Sequence, residues 1–225
     1  MLIEVRLIRD RISPNFTRDE VDVEFLVLHY TGCDLEKTFE IFLDPKRAVT
    51  SHFVIDVNGD IYDLGGIDGG VVRRGAHAGV SRIEVGEKSF QSLNHISIGI
   101  EIVNLNGNYL EYPEAQYSAL VELTRKLQET FPKLRDPERI TGHEQIAGFR
   151  GKCDPGRRFN WAKYFAALGL TPRAQHAFHA ATEEDVAFIS EEIRKFAAKP
   201  TDREFWPALS TRLEEKIKAR MSAGF

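Results

Sequence analysis

The strongest constraint on the fold is the strict alternation at residues 96–103, which read ISIGIEIV. Isoleucine occupies every second position, so these side chains share one face of an extended strand, while Ser97, Gly99 and Glu101 share the other. A second segment, FLVLHY at residues 25–30, is apolar over the length of a strand. It is typical of a strand buried on both faces. We therefore predict a sheet whose interior strand carries a carboxylate surrounded by small residues.

Other segments add helices and a hairpin to this sheet. Residues 52–64 predict a hairpin, because an Asn-Gly pair separates two short apolar runs. Residues 113–131 carry an apolar stripe at helical spacing, and residues 161–168 predict another helix. Residues 65–94 are rich in glycine, arginine and polar residues, and predict a long loop region. The sequence thus predicts an α/β fold with a central mixed β-sheet flanked by helices.

The sequence changes character after a Leu-Thr-Pro segment, beyond which its patterns predict only helices. The last helix carries Leu209, Leu213 and Ile217 at four-residue spacing, hence along one face. We predict that this face packs on the rest of the protein or pairs two chains. The chain is accordingly divided into an α/β domain at residues 1–170 and a helical C-terminal extension at residues 171–225.

Charge, apolar run length and cysteine content restrict the kinds of partner that the protein is expected to bind. The 225 residues include 30 Lys+Arg and 34 Asp+Glu, for a formal net charge of -4, so no basic field favours non-specific nucleic-acid binding. No apolar run approaches the roughly 18 residues of a transmembrane helix, and the N-terminal residues lack the pattern of a secretory signal. Cys33 and Cys153 are the only cysteines, which favours reduced thiols. We predict a cytoplasmic protein without nucleic-acid or membrane partners.

Two histidines and one aspartate stand where a metal site can form. His29 lies near the end of the apolar strand, His143 in a short segment after the amphipathic helix, and Asp154 in a loop rich in glycine. Two imidazoles and one carboxylate, with a fourth position left to water, form a known catalytic zinc arrangement. Spacing alone leaves a structural role open for each histidine. The HExxH motif of zinc proteases is absent, since Ala147 occupies its closing position.

Four segments, taken in order, resemble the zinc-dependent N-acetylmuramoyl-L-alanine amidases of the AmpD type, relatives of the peptidoglycan recognition proteins. They are LVLHYT at 26–31, AHAGVS at 76–81, SIGIEIVN at 97–104, and TGHEQIA at 141–147 followed by KCDPG at 152–156. Each motif is short, but the ordered set is specific, and the resemblance covers about residues 20–168.

The resemblance implies the roles of five residues. His29, His143 and Asp154 would bind Zn²⁺, and Glu101 would be the general base that takes a proton from the activated water. Lys152 would stabilise the oxyanion of the tetrahedral intermediate. Without the resemblance, an exposed carboxylate on a half-solvated strand is the favoured interpretation of Glu101. The alternative for Lys152 is a solvated lysine in a loop.

The resemblance also implies contacts with the substrate. His77 would face the cleft near the peptide or the sugar, and Asn104 would contact the stem peptide. Ala76 stands where many relatives have tryptophan, so stacking on the sugar at this point is not expected. Arg73 belongs to a set of loop arginines whose guanidinium groups are suited to the carboxylates of a stem peptide. The alternative for each of these arginines is a solvent-exposed charge in a loop that contributes only to solubility.

We therefore predict a hydrolase that cleaves the amide between N-acetylmuramic acid and L-alanine of the stem peptide. One alternative is a peptidoglycan-binding module without catalysis, and another is a zinc amidase acting on a different N-acylated substrate. A thiol mechanism at Cys153 would need a paired histidine, and the nearest candidate, His143, is assigned to the metal. A phage lysin or a delivered effector would also lack a secretory signal, and such proteins act on the intact wall. Soluble muropeptides and intact wall therefore both stay open as substrates. The sequence does not predict the oligomeric state.

Overall fold

The structure is a computed structural model that describes residues 7–172, 182–195 and 204–224. The strands are β1 (Leu7–Ile8), β2 (Phe25–Tyr30), β3 (Phe53–Ile55), β4 (Ile61–Asp63), β5 (Ile67–Asp68), β6 (Val71–Val72), β7 (Arg82–Val85), β8 (Lys88–Gln91), β9 (Ser97–Ile102) and β10 (Ile140–Gly142). The α-helices are α1 (Leu35–Phe42), α2 (Glu114–Thr130), α3 (His143–Ala147), α4 (Trp161–Leu168), α5 (Glu183–Lys195) and α6 (Phe205–Gly224).

Six strands form the central sheet in the order β1-β4-β3-β9-β2-β10. Strands β3 and β4 pair in antiparallel orientation, and the other neighbouring strands of this sheet run parallel, so the sheet is mixed as predicted. The two strands predicted first lie side by side at its centre, with His29 of β2 opposite Glu101 of β9. Both residues stand close to the carboxyl ends of their strands.

The two faces of the sheet pack against different elements. Leu28 of β2 and Ile100 of β9 belong to the main hydrophobic cluster, which also contains residues of α2 and α4. Phe25 and Val27, on the opposite face of β2, pack in a second cluster that includes Ile146 of α3. Because side chains alternate along a strand, His29 shares the face of Phe25 and Val27. The site therefore forms on the side of the sheet away from α2.

The predicted strand at residues 96–103, the hairpin at 52–64 and the helices at 113–131 and 161–168 are confirmed within a few residues. The long loop predicted at residues 65–94 is wrong in part. It contains two small antiparallel pairs, β5 with β6 and β7 with β8. Their connections contain glycines with positive φ, a conformation that permits tight turns between strands too short to show a clear alternation.

The C-terminal extension is helical where the structure describes it. Leu209, Leu213 and Ile217 of α6 are buried, and they belong to the same cluster as Tyr30 of β2. The predicted apolar stripe therefore packs on the α/β part of the chain. Residues 173–181 and 196–203 lie outside the described residues, and the division into two domains stays a prediction. No described helix combines the length and hydropathy needed to cross a bilayer.

Candidate metal centre

Neighbouring strands bring the three predicted ligands together. His29 is the fifth residue of β2, and β10 pairs with β2 in parallel, with Gly142 opposite Leu28. His143 begins α3 directly after β10, so it emerges beside His29. Asp154 lies in the loop that follows, where its backbone carbonyl accepts a hydrogen bond from the backbone N–H of Glu144 at 2.8 Å. Sheet topology, rather than closeness in sequence, assembles the group.

The three side chains converge on a common point. Nδ1 of His29 lies 2.8 Å from Oδ2 of Asp154, and Nδ1 of His143 lies 3.1 Å from the same oxygen. The two Nδ1 atoms are 3.1 Å apart. All three residues are buried, and within the described residues they form a group able to hold a metal ion. Imidazole nitrogen and carboxylate oxygen are ligands that Zn²⁺ accepts, so the donor set fits the predicted ion.

The hydrogen bonds behind each imidazole indicate which nitrogen carries the proton. Nε2 of His143 lies 3.2 Å from the carbonyl oxygen of Ala78, which can only accept, so Nε2 is the protonated nitrogen. Ser97 donates its hydroxyl hydrogen to the carbonyl of Leu93 at 2.5 Å. The hydroxyl oxygen therefore accepts from Nε2 of His77 at 3.4 Å. Nδ1 of His77 in turn accepts from Nε2 of His29 at 3.1 Å.

In this arrangement both Nδ1 atoms are unprotonated, and they face a carboxylate oxygen. Three lone-pair donors then stand about 3 Å apart with no hydrogen between them. Such a cluster is repulsive unless a cation occupies its centre. The geometry thus fits a metal-binding group better than a set of structural histidines, and the Ser97–His77 pair orients His29, the first predicted ligand.

Protonation equilibria favour the same state. Burial lowers the pKa of His29 to about 4, despite the neighbouring carboxylate. Burial alone would raise the pKa of Asp154. Whenever the imidazoles carry hydrogen at the nitrogens that face this carboxyl group, their charge and hydrogen bonds outweigh burial and hold that pKa well below its usual range. At neutral pH His29 is therefore neutral and Asp154 ionised, which are the forms that bind a metal.

Glu101 lies beside this group with one carboxylate oxygen unengaged. Its side chain shares the face of His29, its neighbour across the parallel pair. Among the described residues, Oε2 of Glu101 is buried and has no hydrogen-bond partner. Burial, and then the charge of Asp154, raises the pKa of Glu101 well above its ordinary value. A carboxylate in this state is suited to accept a proton and hold it.

Lys152 is engaged by a residue that the sequence motifs do not include. Its Nζ lies 2.8 Å from both carboxylate oxygens of Glu214 on α6. This contact crosses from the predicted α/β domain to the extension. Sequence reasoning missed Glu214 because no motif extends into the C-terminal helices and the spacing of charges on α6 does not distinguish it from its neighbours.

The predicted substrate-binding residues occupy different surroundings. His77 lies at the metal centre, next to His29. Asn104 is buried, and its side-chain amide donates to the carbonyls of Leu110 and Glu111 at 3.2 and 3.4 Å. Arg73 pairs with Glu20 and donates to the carbonyl of Arg18, so its guanidinium is engaged within the chain. Their contact with substrate stays a prediction.

A close approach at Gly99 holds His77 in place. A Cβ added at Gly99 would lie 2.6 Å from Cγ and Nδ1 of His77. We expect Gly99→Ala to lower the free energy of unfolding by about 1–3 kcal/mol, as is usual for overpacked sites. Urea unfolding measures this. Since His77→Ala removes the ring, the double variant should lose less stability than the sum of the single variants. Strict additivity would show that no clash exists.

Comparison with known proteins identifies the family. The sequence profile of the family described as N-acetylmuramoyl-L-alanine amidase matches residues 19–157, which is more than half of the chain. The chain belongs to this amidase family. The matched segment contains all three metal-centre residues, Glu101 and Lys152, and it excludes both described helices of the extension. The family and the fold predicted from the sequence are confirmed.

Individual relatives agree with this assignment. The amidase is 32% identical over 176 residues to the 1,6-anhydro-N-acetylmuramyl-L-alanine amidase AmpD of Haemophilus influenzae, covering 69% of this chain and 89% of the relative. It is also similar to the crystal structure of AmpDh3 from Pseudomonas aeruginosa in complex with anhydromuramic pentapeptide, with a TM-score of 0.56 and 28% identity. That match covers 88% of this chain and 76% of AmpDh3. The amidase AmiD of E. coli, in complex with anhydro-N-acetylmuramic acid-L-Ala-D-γ-Glu-L-Lys, gives a TM-score of 0.55 at 25% identity, covering 79% of this chain and 72% of AmiD.

Proposed function

We propose that this amidase hydrolyses the bond between the lactyl carbonyl of N-acetylmuramic acid and the nitrogen of L-alanine, with Zn²⁺ held by His29, His143 and Asp154. The convergence of three unprotonated donor atoms within 3.1 Å of one another is the observation that carries the proposal. Relatives named as anhydro-muramyl amidases, and two neighbours solved with anhydromuramyl peptides, support the substrate class. All three donors are present, which does not favour a binding module without catalysis.

In this mechanism the residues of the chain manage charge and protons. When bound, zinc would act as a Lewis acid and lower the pKa of a water molecule to about 7. Glu101 accepts a proton at Oε2 as water attacks the carbonyl, and then gives it to the alanine nitrogen as the C–N bond breaks. The raised pKa of Glu101 suits it to hold the proton between these two steps. Lys152 directs its positive charge at the developing oxyanion.

We propose further that the substrate is a soluble anhydro-muropeptide in the cytoplasm. The name of the Haemophilus relative and the ligands of two solved neighbours point to fragments of this size. Both cysteines are buried free thiols, as expected for a reducing compartment. Cell fractionation of the producing organism tests the location. Recovery of the native protein from culture medium or purified wall would contradict it.

Product analysis tests the reaction and the substrate together. Isolated anhydro-muropeptides and intact sacculi are incubated with the enzyme, with and without a chelator, and the products are identified by mass spectrometry. We expect free stem peptide and the corresponding sugar from muropeptides, little release from sacculi, and loss of both products with chelator. Cleavage at another bond, or turnover that survives chelation and His29→Ala, would contradict the proposal. Hydrolysis of small N-acyl amides alone would favour a different substrate.

A further inference from the structure

We propose that Glu214 of α6 is a positioning residue for Lys152, so that the C-terminal helix forms part of the active site. This inference rests on the proposed function, in which Lys152 stabilises the oxyanion. Glu214 lies outside the segment matched by the amidase family, which ends at residue 157. The family model therefore assigns no role to Glu214.

The contact between the two side chains is symmetric and partly shielded. Both carboxylate oxygens of Glu214 lie 2.8 Å from Nζ of Lys152, and the side chains are 28% and 25% exposed, respectively. Charge-assisted bonds of this length are stronger than those of exposed ion pairs, which are screened by water. Within the described ranges, no other carboxylate forms a salt bridge with Lys152. Glu214 is thus the group that restricts its flexible four-carbon side chain.

The backbone of α6 lies directly on the loop that carries Lys152. A Cβ added at Gly151 would stand only 2.2 Å from the carbonyl oxygen of Glu214. On the other side, a Cβ added at Gly32, in the loop after β2, would contact Oγ of Ser210 at 3.4 Å. Leu213, next to Glu214, is fully buried in the main cluster. The rotation of α6 about its axis is therefore fixed with Glu214 directed at Lys152.

Electrostatics give the pair a function beyond anchoring the helix. Lys152 is two residues from Asp154, and its ammonium group is close enough to His29, Glu101 and Asp154 to interact with them electrostatically. A divalent cation held at the proposed centre and this ammonium group repel each other. The carboxylate of Glu214 offsets this repulsion and holds the ammonium group of Lys152 in place at the edge of the site. The opposite role, in which Glu214 sequesters Lys152 and slows the enzyme, is an outcome that the experiment detects.

The experiment compares Glu214→Gln with Glu215→Gln in the full-length zinc-loaded enzyme. Glu215 is the adjacent exposed acid on the same helix, so it controls for the loss of one negative charge. We expect Glu214→Gln to lower kcat for an anhydro-muropeptide on the order of 10-fold to 100-fold, as for a displaced catalytic group, with little change in KM. Glu214→Asp should recover part of kcat. Zinc content and thermal midpoint should match those of Glu215→Gln.

A double-mutant cycle separates positioning from general damage. In a Lys152→Met background, Glu214→Gln should have no further effect on the residual rate, since its effect is exerted through the ammonium group. An equal loss in both backgrounds, an unchanged kcat in Glu214→Gln, or a higher kcat would each overturn the proposal, the last by showing sequestration. If Lys152→Met itself leaves kcat unchanged, the role of Lys152 in the proposed function fails, and this inference fails with it. If Lys152→Met lowers kcat but Glu214→Gln does not, the proposed function stands and only the inference about Glu214 fails.

Discussion

Glu101→Gln is expected to lower kcat for muropeptide hydrolysis by about 10²-fold to 10⁴-fold, the usual contribution of a general base. Glutamine preserves the size of the side chain but cannot accept the proton that water releases. The unengaged Oε2 of Glu101 lies beside the metal centre but forms no bond with its three residues, so the substitution should leave zinc binding intact. Steady-state kinetics and elemental analysis of the same sample measure both quantities.

The control for this experiment is Glu84→Gln. Glu84 is an exposed acid on β7, and its substitution removes the same charge from the surface of the protein. We expect its kcat and zinc content to equal those of the unmodified enzyme. If Glu101→Gln turns over as fast as Glu84→Gln, the assignment of Glu101 as the base is wrong. If it loses zinc as well as activity, Glu101 supports the metal rather than the proton transfer.

His143→Ala should abolish both zinc binding and turnover. It removes one of three protein donors and leaves the carboxylate of Asp154, which is ionised in the folded protein, with a single imidazole. In the unmodified enzyme, zinc at about one hundred times its Kd should raise the free energy of unfolding by about 2.7 kcal/mol through mass action. The variant should show no such gain. Thermal unfolding with and without zinc, together with elemental analysis, measures the effect.

His95→Ala is the matched control for this ligand variant. His95 is exposed and lies away from the cluster, so its loss should change neither zinc content nor the stabilisation by zinc. A His143→Ala protein that still gains stability from zinc at the same concentration would show that the metal binds elsewhere. Loss of stabilisation in both variants would mean that histidine content, rather than this geometry, governs binding.

The sequence predicted the parts of the site that depend on local pattern. The alternation around Glu101 assigned its face, and the ordered motifs selected His29, His143 and Asp154 from seven histidines and many acids. The convergence of these residues follows from parallel pairing of β2, β9 and β10, which places their carboxyl ends at one edge. Local pattern and topology therefore agree for the metal centre.

The contacts that the sequence did not predict depend on tertiary packing. Glu214 lies 62 residues from Lys152, and only the docking of α6 brings them together. The hydrogen-bond path from Ser97 through His77 to His29 requires three segments to meet, with Gly99 leaving space for the ring. Neither feature has a periodic signature. The charge and hydropathy of the individual residues cannot distinguish Glu214, Ser97 or His77 from similar residues whose side chains contact only solvent.

The separation of the metal-centre residues along the chain has a consequence for biosynthesis. His29 and Asp154 are 125 residues apart, so a growing polypeptide carries only a lone imidazole from this group until His143 has been added. A single imidazole binds divalent ions weakly, because affinity comes from several ligands held together by the folded chain. An ion at the predicted site is therefore expected to bind only after Asp154 has been synthesised, and α6, which follows Asp154 in the chain, emerges later still.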